Sequence, residues 1–90
     1  MMKIIVVYDI PKEHDDKRRT LREYLKNYGG KFIQYSVYEI EIKSNELKYM
    51  IKGIKRIIRK IPCKILIIKP CKQCQQKIKQ IGDLILEEIL

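Results

Sequence analysis

The chain has 90 residues, 46% of them hydrophobic and 34% charged, and its 20 Lys+Arg outweigh 11 Asp+Glu to leave a formal charge of +9. At this length it forms one domain burying roughly 60–65% of its unfolded surface, and its apolar content argues against a disordered tail. So large a basic surplus on so small a body favours polyanionic partners, chiefly nucleic acid. The longest purely aliphatic runs, such as Ile4-Ile5-Val6-Val7, are four residues and cannot span a bilayer. The apolar stretch after Met1-Met2-Lys3 meets Asp9 too soon for a signal peptide, so a cytoplasmic location and no membrane partner are expected. Three cysteines are an odd number and too few for a disulfide scaffold.

Residues 3–9 (KIIVVYD) read as a β-branched, almost wholly apolar strand. Pro11 through His14 read as a loop, with Asp15 or Asp16 as the N-cap of a helix that carries Leu21, Tyr24, Leu25 and Tyr28 at helical spacing. Gly29-Gly30 supplies its C-terminal stop. Residues 31–43 are strand-like but change phase: Ile33, Tyr35 and Val37 alternate on one side, then Tyr38, Ile40 and Ile42 continue one residue out of step. A one-residue slip flips the face, so this is either one bulged strand or two strands with a tight connection near Val37. Ser44 or Asn45 caps a second helix whose apolar stripe runs Leu47, Met50, Ile51, Ile54, Ile57, Ile58 and Ile61, and Pro62 ends it. Residues 63–69 (CKILIIK) form another strand, closed by Pro70; residues 72–81 allow a helical turn or two, and 84–90 read as strand or helix.

The order strand, helix, strand, strand, helix, strand matches the split βαβ, ferredoxin-like α+β arrangement, with two helices on one face of an antiparallel sheet. The other face is open and should alternate apolar with polar. The first strand does not alternate: Ile4, Val6 and Tyr8 point one way, Ile5, Val7 and Asp9 the other. A second copy packed sheet against sheet, as a two-fold homodimer, is the simplest cover.

Asp9 closes a hydrophobic strand, where a lone carboxylate is poorly solvated and needs a partner. The plain reading is a loop residue that caps backbone N–H groups. The sharper one is a metal ligand, for which one carboxylate is weak unless a dimer brings a second. In KEHDDKRR (12–19) the mixed charges mostly read as a solvated first turn, but Arg18 and Arg19 lie just downstream of Asp9 and guanidinium pairs bidentately with phosphate. His14 reads as a surface residue. Cys71-Lys72-Gln73-Cys74 is a single CxxC without the second pair a zinc site needs, unless a dimer pools two. The basic side of the second helix (Lys48, Lys52, Lys55, Arg56, Arg59, Lys60) is usually a solvated face, here coincident with the overall surplus. Tyr35 and Tyr38 lie where an RNA-recognition module stacks bases, but its Gly-Phe-rich strand motif is absent.

Tyr8-Asp9-Ile10, Asp15-Asp16-Lys17-Arg18-Arg19, Leu25, Tyr28-Gly29 and Gln34-Tyr35-Ser36-Val37-Tyr38-Glu39, in this order over the first half of the chain, resemble the small CRISPR-associated Cas-two family. The QxSVYE segment after a YD strand and a helix is the specific part. The resemblance implies a ferredoxin-like homodimer whose C-terminal strand, here LILEE at 84–88, joins the partner's sheet, so that 71–90 contacts the dimer mate. It implies a divalent ion, Mg2+ or Mn2+, held between subunits by Asp9, endonuclease activity on RNA or duplex DNA in some members, and a role in spacer acquisition beside the Cas-one integrase. Arg18, Arg19 and Lys31 would then contact nucleic acid, with Tyr8, Ser36 and Tyr38 as site neighbours. Two positions depart from the family pattern: Phe32 stands where a basic residue is common, with Lys31 beside it, and Tyr38 stands where Phe is frequent. A metal-dependent endonuclease is the leading expectation. The alternatives are a non-enzymatic DNA-binding scaffold of the integrase complex, a toxin-type ribonuclease of the virulence-associated D family, and an unrelated RNA-binding module.

Overall fold

The computed structural model describes residues 1–73; the strand expected at 84–88 and the Cys74 half of the CxxC lie outside them. Strand β1 (Met2–Asp9) is followed by a single 3-10 turn (Lys12–His14), helix α1 (Asp15–Asn27), strands β2 (Lys31–Gln34) and β3 (Val37–Ile42), helix α2 (Ser44–Ile57) and strand β4 (Lys64–Ile68). The sheet order is β2-β3-β1-β4 and every neighbouring pair is antiparallel. This is the expected ferredoxin-like arrangement, with β1 and β3 central.

The helix side of the sheet holds the core. Ile4, Val6 and Tyr8 of β1 and Tyr38, Ile40 and Ile42 of β3 are buried under Leu21 and Leu25 of α1 and Met50 and Ile54 of α2. Withdrawing each such aliphatic side chain from water contributes about 1.5–3 kcal/mol, the dominant favourable term in a domain this small. The ends of α1 differ from the reading of Asp15 or Asp16 as a cap. His14 is the N-cap and offers no side-chain bond, while both aspartates lie inside the first turn, where their charge meets the positive end of the helix dipole. Likewise Lys43, not Ser44 or Asn45, precedes α2.

The stop at Gly29-Gly30 is a Schellman motif. The Gly29 N–H donates to the Lys26 carbonyl and the Gly30 N–H to the Leu25 carbonyl, both at 2.9 Å. Gly29 takes φ +82°, and a Cβ on Gly30 would lie 2.6 Å from the Leu25 oxygen. The glycines thus let the chain turn back beneath its own helix and enter β2 over the Tyr38 ring.

The phase change across 31–43 resolves into both alternatives at once. Tyr35-Ser36 forms a tight turn with Ser36 at φ 69°, and the β2–β3 register slips between Phe32 and Gln34. Helix α2 ends at Ile57, short of Pro62, because proline drives the residue before it out of the helical region and Lys60 turns the chain at φ 68°. Ile58 and Ile61 still pack against the core from the turn that follows.

The second face of the sheet carries no element among the described residues. Ile5 and Val7 are half-buried there. The register sets Ile68 opposite Ile5 and Leu66 opposite Val7, and these two are 48% and 52% exposed.

Candidate functional site

Asp9 is the last residue of β1, and strand alternation puts its carboxylate on the open face, away from Tyr8. It is exposed, stands opposite Lys64 in the β1–β4 register, and has no hydrogen bond or ion pair on its carboxylate among the described residues. The Tyr35-Ser36 turn meets the same end of the sheet: the Tyr8 N–H donates to the Ser36 carbonyl at 3.0 Å. Asp9, Lys64 and Ser36 are therefore gathered at one end by backbone pairing alone.

Arg18 ties this end together. Its guanidinium donates to the Ile10 carbonyl at 2.6 Å and to the Tyr35 hydroxyl at 2.7 Å, and lies 3.4 Å from the Asp15 carboxylate. The side chain is only 15% exposed. One residue thus joins the segment after β1, the first turn of α1 and the β2–β3 turn, with the donor fork matched to fixed acceptors. Nothing in the sequence announces Tyr35 as its partner: the two are 17 positions apart and Tyr35 reads as a strand residue.

The other expected site residues disperse. Arg19 is exposed and faces a groove between α1 and α2, on the helix side. Lys31 is exposed and opposite Glu39, which is opposite Ile5, so it shares the open face but lies two strands away from Asp9 and four residues back along the sheet. Tyr8 and Tyr38 turn into the helix-side core, 4% and 1% exposed, with rings stacked at 6.4 Å. Burial pushes both hydroxyls above the ordinary tyrosine value, so both stay protonated. Alternation explains why their side chains do not reach the Asp9 face. Phe32 packs edge-on against Tyr38 at 5.8 Å. His14 serves its local turn, its N–H donating to the Pro11 carbonyl. Burial raises the Cys63 thiol's pKa, which disfavours the nucleophilic thiolate.

A hard divalent cation needs oxygen ligands in a near-octahedral set. The described residues contain no group of three His, Cys, Asp or Glu side chains able to hold one. Asp9 nevertheless fits as one ligand, being an unpaired carboxylate open to solvent on a face that a second copy could cover. A two-fold axis beside β1 would double the carboxylate count.

The family model described as CRISPR associated protein Cas2 matches residues 2–78. The chain belongs to the Cas2 family. It is 34% identical over 70 residues to the CRISPR-associated endoribonuclease Cas2 of Desulforudis audaxviator, a match covering 78% of this chain and 64% of that protein. The chain therefore spans less than two thirds of that relative's length. It is 30% identical over 70 residues to CRISPR-associated endoribonuclease Cas2 1 of Archaeoglobus fulgidus, covering 78% of this chain and 72% of the relative. Among solved structures, Streptococcus pyogenes Cas2 superposes with a TM-score of 0.70 at 25% identity, over 90% of this chain and 100% of that one. A hypothetical protein of Thermus thermophilus superposes at 0.69 with 27% identity, over 78% of this chain and 82% of that one. Membership in the Cas2 family decides against the virulence-associated D ribonuclease and the unrelated RNA-binding module. No helix among the described residues is long and apolar enough to cross a membrane.

Proposed function

We propose that the chain is a metal-dependent endonuclease of the Cas2 type, acting on RNA or duplex DNA as a two-fold homodimer. The observation that carries this is Asp9, an exposed carboxylate, unpaired among the described residues, at the rim of an apolar sheet face that no described element covers. Packing that face against a second copy removes Leu66 and Ile68 from water, worth about 25 cal/mol per Å² of apolar surface. It also brings Asp9 of the partner subunit toward Asp9. The two carboxylates, otherwise repelling, would together hold Mg2+ or Mn2+. When bound, the ion supplies charge stabilisation at the phosphodiester and activates water for attack. Arg18 holds the rim in shape through Ile10 and Tyr35. Lys31, on the same face as Asp9, supplies positive charge for the phosphate backbone. Ser36 stays beside the strand end through its carbonyl.

The test is hydrolysis of RNA and of duplex DNA, with and without Mg2+, by wild type and Asp9→Ala. Cleavage should need the ion and be lost in the variant with the fold intact; equal cleavage by both would sink the proposal.

A role beside the Cas-one integrase in spacer acquisition, as the DNA-holding body, is the second reading, and the +9 charge favours it. It requires no metal. Normal integration by Asp9→Ala, with DNA affinity falling steeply as salt rises, would select it over catalysis.

A further inference from the structure

Across the sheet from Asp9, the outer faces of α1 and α2 form an open groove of about 780 Å³. Its walls follow from helical periodicity. Thr20, Glu23, Tyr24 and Asn27 stand at i, i+3, i+4 and i+7 on α1; Tyr49, Lys52, Gly53 and Arg56 do so on α2. Three cations, Arg19, Lys52 and Arg56, converge on this space against one carboxylate, Glu23. None of the three has an ion pair among the described residues.

The floor is built from an aromatic and a missing side chain. Gly53 has no Cβ, and one placed there would collide with the Tyr24 ring. That space lets the Tyr24 hydroxyl cross to α2 and donate to the Met50 carbonyl at 3.3 Å. Burial, together with the Tyr28 hydroxyl, raises the Tyr24 pKa to about 12, so the floor stays neutral and does not repel an anion. At the rim Tyr49 is 57% exposed, with the Lys48 and Lys52 ammonium groups 5.4 and 5.7 Å from its ring centroid. An exposed aromatic flanked by unpaired cations matches the chemistry of a strand whose bases are unpaired: phosphates for the cations, a π-face for the ring. A duplex presents its bases inward and is too broad to enter a groove between two adjacent helices.

We infer that the α1–α2 groove is a binding site for single-stranded nucleic acid, separate from the Asp9 face, with Lys52 and Arg56 on the phosphates and Tyr49 on a base. Each phosphate contact releases condensed counterions, so affinity must fall with salt by about 0.7 decade per decade of salt for each contact on a single strand.

The experiment is fluorescence anisotropy of the intact chain with short labelled single strands of RNA and of DNA, and with a duplex of the same length, across a salt series. Lys52→Ala with Arg56→Ala should weaken single-strand binding about tenfold or more and flatten the salt slope by roughly 1.4, that is two contacts. Lys55→Ala with Arg59→Ala removes the same charge outside the groove, one cation from α2 and one from the turn after it, and should cost much less. Glu23→Lys sits on an exposed helical position and should tighten binding, so the inference stays testable if the double variant folds poorly. Tyr49→Leu should weaken and Tyr49→Phe preserve affinity. Equal losses from the two double variants, an unchanged slope, or duplex binding that depends equally on Lys52 and Arg56 would overturn the assignment. Whether RNA or DNA binds tighter identifies the natural strand. The Asp9 hydrolysis assay reports on the other face, so failure of one reading leaves the other standing.

Discussion

The two sides of β1 are built from the same kinds of residue and have different fates. Ile4 and Val6 are fully buried under the helices, whereas Ile5 and Val7, one position along, are half-buried on a face that no described element covers. The difference lies not in composition but in what the chain can lay over each side. Two amphipathic helices cover one face and complete a core; the other keeps its apolar centre beside Leu66 and Ile68, with Asp9 at its edge. The strand that presents Ile5 and Val7 on this face is also the one that ends at Asp9, so the same residues that suggest a dimer position the candidate chemistry.

The contrast can be broken most forcefully at Ile4. Ile4→Ala should lower unfolding free energy by about 2–5 kcal/mol, because a fully enclosed site cannot collapse around the deletion. Ile5→Ala should cost clearly less in urea titrations at low protein concentration, and equal losses would mean that both faces are core. Val7→Asp places a charge in the centre of the uncovered face. It should abolish the proposed dimer in sedimentation while leaving the monomer's circular dichroism intact; a dimer persisting in the variant would put the contact elsewhere. Gly30→Ala attacks only the helix-covered side, since its new methyl meets the Leu25 carbonyl and the Tyr38 ring. A loss of about 1–3 kcal/mol is expected, comparable to other locally strained positions. The smallest effect is the pH dependence from Tyr24. Its folded pKa, raised from 10.0 to about 12, makes the native state hold the proton more tightly. The contribution is therefore complete below pH 10 and lost as pH rises through about 12. Tyr24→Phe should remove that part of the alkaline decline, seen as a flatter urea midpoint across the window.

The apolar stripe of α2, the glycine stop after Tyr28 and the unalternating β1 were legible in the sequence because each rests on local periodicity or on one residue's backbone freedom. The position of Asp9 at a strand end was legible for the same reason. Arg18 shows where that legibility stops. Its charge suggested phosphate, and the structure adds that two of its donors go to Ile10 and Tyr35, a choice made by how the β2–β3 turn returns to the end of β1. Tyr38, grouped with the site by its neighbours in QxSVYE, lies inside because the turn and bulge set its phase.

By itself the sequence determined the order of elements, the family, the basic surplus and the strand that carries Asp9; these depend on residues close together along the chain. Only the tertiary structure decided that Arg19 and Asp9 face opposite sides, that Arg18 bridges Ile10 and Tyr35 at the rim, and that Gly53 and Tyr24 open a cationic groove between the helices. Those facts depend on which distant segments are pressed together, and no periodicity within one segment records its neighbour across the fold.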